Sequence, residues 1–142
     1  MRDEPKSVQR SFRLSQRTME LLETAANDSG ESRNALADRL LGEGARLERH
    51  PLIRFRSGAR GRRQPFVFGT RLYVYQVVAT LRAEEGSVER AAEYLGIEPK
   101  LARAAADYYA EFTDEVDQDA AIAAEIERDE RARWERGRRA LA

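Results

Sequence analysis

The chain of 142 residues contains no cysteine. Disulfides and thiolate-bound zinc are thereby excluded, and the composition suits a reducing cytoplasm. Histidine occurs once, at His50, so no histidine cluster can hold a metal. No run of about 18 apolar residues is present to cross a bilayer, and the opening MRDEPKSVQRSF lacks the apolar centre of a signal peptide. A soluble, unexported, cytoplasmic protein without membrane contact is expected. Glycine-rich phosphate loops are missing too, and the many carboxylates fall on charged helical faces without a recognisable motif. These absences weigh against an enzyme: no catalytic residue, no metal ligand and no cofactor is expected.

What is present is charge of both signs, unevenly placed. The formal net charge is zero, but residues 1–71 hold 15 Lys/Arg against 9 Asp/Glu and residues 72–142 hold 10 against 16. From Asp107 to Glu130 ten acids face only Arg128, whereas Arg131 to Ala142 has five arginines against Glu135. Such polarity suggests two different partners, one of them a nucleic acid. The length allows one ordinary domain or two small modules.

In Val8-Gln9-Arg10-Ser11-Phe12-Arg13-Leu14 the alternation puts Val8, Phe12 and Leu14 on one strand face and Gln9, Ser11 and Arg13 on the other. Ser15 suits a helix N-cap, and Met19, Leu22 and Ala26 follow at helical spacing up to the stop Asn27-Asp28-Ser29-Gly30. Ser32 caps a second helix with a stripe of Leu36, Leu40 and Leu47. One strand and two helices in about 45 residues cannot close a core alone, so a second copy is needed. The order, the lengths and the Gly30-Glu31-Ser32-Arg33-Asn34 connection resemble the ribbon-helix-helix DNA-binding family. The resemblance implies a homodimer or higher oligomer whose paired strands enter the major groove. Such a groove admits a two-stranded ribbon, and Gln9, Ser11 and Arg13 offer donors and acceptors to base edges. Backbone N–H groups near Ser32, Arg33 and Asn34 would grip phosphate. Arg10 departs from the family, which usually has an apolar residue at that inward position.

From His50 an extended segment leads into the basic, glycine-punctuated loop Arg56–Arg63, and Phe66-Val67-Phe68 and Arg71-Leu72-Tyr73-Val74 read as strand-like runs of a small sheet with Pro51 and Pro65 at its edges. His50 reads as a structural linker residue. Val74, Val77, Val78 and Leu81 trace a helix that stops at Gly86; Ser87 caps another over Val88–Tyr94; Pro99 opens a third carrying Leu101, Ala105, Tyr108 and Phe112. Ala92 and Gly96, four apart, match a helix-turn-helix. The third helix mixes Lys100 and Arg103 with Glu98, Asp107 and Glu111, which favours a structural or partner-binding role over DNA binding.

His50-Pro-Leu-Ile-Arg-Phe, Arg62-Arg-Gln-Pro, Gly69-Thr-Arg-Leu-Tyr-Val, Ala91-Ala-Glu-Tyr-Leu-Gly and Ala106-Asp-Tyr-Tyr-Ala-Glu-Phe-Thr-Asp-Glu-Val-Asp117 together resemble a VapB-type antitoxin domain, often encoded beside PIN-like ribonuclease toxins. Where that family commonly has proline before Asp-Glu, this chain has Thr113. The resemblance implies a type II antitoxin that binds and inhibits a PIN-like ribonuclease toxin and represses its own operon through operator DNA. It also implies that the last segment wraps the toxin: Ile122, Ile126 and Trp134 would dock, while Arg131, Arg133, Arg136, Arg138 and Arg139 reach the carboxylate cluster in which such ribonucleases hold a metal.

The fold expected is mainly α with short β. An N-terminal ribbon-helix-helix (1–49) precedes a small sheet with a helix-turn-helix-like three-helix domain (50–116) and a charged helical tail (117–142). A free-standing dimeric repressor without a toxin is the alternative, but it has no use for the tail.

Overall fold

The structure, a computed structural model, describes residues 6–142; the first five residues of the module expected over 1–49 lie outside them. The chain is mainly helical with one two-stranded antiparallel sheet, and it divides into two compact units between Gly42 and Glu43.

The first unit contains α1 (Gln16–Ser29) and the greater part of α2 (Arg33–Arg49). Ser15 accepts a hydrogen bond from the Thr18 N–H at 3.1 Å and opens α1. Gly30, at φ +73°, closes it in a left-handed turn that costs glycine no Cβ clash. The Ser32 hydroxyl then accepts from the Ala35 N–H at 3.1 Å to start α2. Residues 6–15 form no paired strand within the chain and are exposed throughout. Only Ala26 and Leu36 are buried among the described residues of this unit.

The second unit builds a core. Strands β1 (Ile53–Ser57) and β2 (Arg63–Val67) pair antiparallel, with Ile53 opposite Val67 and Phe55 opposite Pro65. The expected strand over Arg71–Val74 is reduced to a single bridge between Phe66 and Tyr73. The reason is local: the Tyr73 N–H donates to the Gln76 side chain at 2.9 Å, so Tyr73 already caps α3 (Val74–Ala83). Then come α4 (Val88–Leu95), α5 (Pro99–Glu111) and α6 (Thr113–Ala140).

Val74, Val77, Val78 and Leu81 bury one side of α3, as their spacing predicts. Ala91 and Ala92 of α4 and Ala102 and Ala105 of α5 are fully buried, because small side chains let helix axes approach closely. Tyr108 is the largest fully buried side chain and packs among Phe55, His50 and Phe112. Helix α6 is continuous across residue 117, so no element boundary separates a tail from the central domain. Its first turns bury Val116 and Asp119; from Glu127 onward every residue is exposed.

Candidate nucleic-acid and partner interfaces

In the first unit the apolar residues line a groove instead of a core. It encloses about 670 Å³ between residues that include Phe12, Leu14, Met19, Leu22, Leu40 and Leu41. Phe12 is 74% exposed and Leu41 62%, values that belong to an uncovered interface more than to a finished domain. Gln9, Ser11 and Arg13 lie exposed on the same extended stretch, so a single chain separates no polar face from an apolar one there. Arg10 is exposed as well, its guanidinium folded onto the Gln9 carbonyl at 3.0 Å. Arg33 faces Glu23 in solvent at 3.0 Å, and Asn34 edges the groove at the start of α2.

The charge polarity of the sequence has an internal explanation in the second unit. Arg46 meets Glu115 at 2.9 Å, Arg49 grips Glu111 through two bonds of 2.8 and 3.0 Å, Arg60 approaches Glu125 at 3.4 Å and Arg62 meets Asp119 at 2.9 Å. The basic stretch around β1 and β2 thus neutralises much of the acidic stretch at the end of α5 and the start of α6. Most of these pairs are solvent-facing and individually weak. Arg62 with Asp119 differs, since the carboxylate is almost wholly buried.

His50 is a structural residue. Its Nε2 lies 2.9 Å from Glu111, and its ring meets Tyr108 and Phe112 edge-on. Hydrogen bonds from Arg49 and then from His50 hold the Glu111 carboxyl below the usual glutamate range. Beside this cluster a cleft of about 220 Å³ contains Arg49, Lys100 and Arg103 together with Asp107. Lys100 also faces Glu98 at 3.3 Å, so the solvent side of α5 is mixed in sign. Among the described residues no group of three or more His, Asp or Glu is placed to hold a metal ion, and no helix is long and apolar enough to cross a membrane.

On α6 the expected partner-binding residues fall into two sets. Ile122 and Ile126 are half-buried, on the part of the helix that belongs to the second unit's packing. Trp134 is 64% exposed, and Arg131, Arg133, Arg136, Arg138 and Arg139 are all exposed. Ile122, Ile126 and Trp134 span about a third of the helix circumference, whereas the five arginines spread around it. Arg131 makes an i,i+4 pair with Glu127 at 3.2 Å.

Sequence reasoning missed the Arg62–Asp119 and Arg46–Glu115 pairs. Their partners are 57 and 69 positions apart, and no local spacing marks them. Comparison with protein-family models, with curated proteins and with solved structures yields no match.

Proposed function

We propose that this chain is the antitoxin of a type II toxin-antitoxin system. Its first unit pairs with that of a second copy as a ribbon-helix-helix, the joined strands bind operator DNA and repress the operon, and the exposed end of α6 binds and inhibits a PIN-like ribonuclease. The observation that carries this reading is the first unit's open groove beside an unpaired extended segment. Pairing residues 8–14 with their symmetry mates would satisfy the backbone, turn Val8, Phe12 and Leu14 onto the helices, and leave Gln9, Ser11 and Arg13 on the outer face. The sequence resemblances to ribbon-helix-helix proteins and to VapB-type antitoxins supply the rest.

A free-standing repressor of the same build is the second reading. The exposed α6 end favours the antitoxin: Trp134 held in solvent, followed by arginines, suits an apolar anchor and carboxylate-seeking cations on a partner. Two assays test the proposal. DNA from upstream of the gene should be retarded by the full chain, and Arg13→Ala should weaken specific binding by ~1–3 kcal/mol. Co-expression with a PIN-like ribonuclease encoded beside the gene should restore growth that the ribonuclease alone arrests. Failure of rescue with DNA binding intact would favour the free-standing repressor.

A further inference from the structure

We infer that the outer face of the β1–β2 sheet binds single-stranded nucleic acid, a second activity that uses the second unit and does not depend on operator recognition by the first. Residues 49–83 contain eight arginines and no Asp or Glu. Five of them, Arg49, Arg60, Arg62, Arg63 and Arg82, face carboxylates brought by other elements. Arg54, Arg56 and Arg71 have no carboxylate within ion-pair distance among the described residues; Arg54 and Arg56 donate only to backbone carbonyls.

Two of these cations, Arg54 and Arg56, are interleaved with aromatic rings, and Arg71 is exposed beside them, its carbonyl accepting from Arg56. Alternation along the strands sends Ile53, Phe55 and Val67 to the core and places Arg54, Arg56, Phe66 and Phe68 on the other face, where Gln64 is buried, Arg54, Arg56 and Phe66 are half-buried and Phe68 is exposed. The Arg54 guanidinium lies over Phe68, 4.7 Å from the ring centre. That of Arg56 lies over Phe66 at 4.8 Å and over Tyr73 at 4.4 Å, and Tyr73 stacks nearly parallel on Tyr75 at 5.7 Å.

A guanidinium stacked on a ring keeps its in-plane N–H edge for phosphate, and one in contact with two rings has already lost part of the freedom that binding would remove. Arg56 is fixed further by its bond to the Arg71 carbonyl at 2.9 Å. Phe68, 52% exposed, sits at the rim of this array, where a base can stack against it. A duplex hides its base faces, so an array that mixes phosphate-seeking edges with an accessible ring suits a single strand. An acidic protein segment would use the arginines but not the ring.

The test is fluorescence anisotropy of the full chain with a labelled oligouridine of about twelve nucleotides. We expect binding that weakens as salt rises, that falls about tenfold in Phe68→Ala, and that is lost when Arg54→Glu and Arg71→Glu are combined. Both arginines lie outside the buried core, and circular dichroism should show unchanged helix content in each variant. Replacing Gln9, Ser11 and Arg13 by alanine should leave RNA binding intact. The inference is overturned if the wild-type chain does not bind, if Phe68→Ala binds as tightly as wild type, if poly-glutamate competes as well as unlabelled RNA, or if the N-terminal triple variant abolishes binding.

Discussion

Asp119 is the residue at which a long, mostly solvated helix is tied to the core. Its carboxylate is 4% exposed and meets Arg62 at 2.9 Å, so removing the cation strands a buried charge. Arg62→Ala should therefore cost about 3 kcal/mol in urea unfolding, and adding Asp119→Ala should recover part of that loss. A double variant no more stable than Arg62→Ala would show that the pair is not coupled. Glu111 predicts a pH effect of definite sign. Its folded carboxyl titrates below the ordinary value of 4.5, so it contributes stability at neutral pH that is lost as the pH falls through the lowered value. Glu111→Gln should be less stable than wild type at pH 7, with the gap closing in more acidic buffer; a gap constant with pH would contradict this. At Gly58 the constraint is space: a Cβ there would collide with the buried Gln64 amide and crowd the Tyr73 hydroxyl. Gly58→Ala should lower the melting temperature although its φ of −110° suits any residue.

Among the elements, α6 is packed against the core over its first turns and exposed from Glu127 onward. Asp119 lies beyond residue 117, so a chain cut after Asp117 would lose a buried anchor as well as the tail. A chain ending at Glu127 keeps Asp119, Ile122 and Ile126 and removes only exposed residues. It should match wild type in thermal unfolding and DNA binding yet fail to rescue growth beside the ribonuclease; full rescue would place the inhibitory surface elsewhere. The helices of both units were legible because their signals are local. Ser15, Ser32 and Ser87 accept the first free N–H groups, Gly30 and Gly96 turn left-handed, and the stripe of Val74, Val77, Val78 and Leu81 is the buried one. The third strand run was not, because Tyr73 serves equally as a sheet residue and as the start of α3, and tertiary packing decides between them. Residue 117, where the resemblance to the antitoxin domain ends, lies inside α6, and the sign of the charge changes only after Glu130.

At the scale of the whole molecule, complementary charge in the sequence has two destinations. Part of it closes inside the second unit, where α6 and the end of α5 meet the arginines of residues 46–62. The remainder stays on the surface, on the outer sheet face and at the end of α6. Which arginine belongs to which group could not be read from composition, since it depends on contacts between distant segments. In the first unit the alternation at residues 8–14 is legible in the sequence, and the structure leaves that stretch extended and unpaired. Among the unit's described residues only two are buried, and under the proposed function a second copy would cover the groove and pair the extended segment. The most direct measurement is the mass of the full chain in solution by sedimentation equilibrium, compared with a variant carrying Phe12→Arg and Leu40→Arg on the groove. We predict twice the 16.2 kDa chain mass for the wild type, and for the variant a single chain that no longer retards DNA. A wild-type chain that stays monomeric at micromolar concentration with its first unit folded, or a variant that still forms the dimer, would contradict the account.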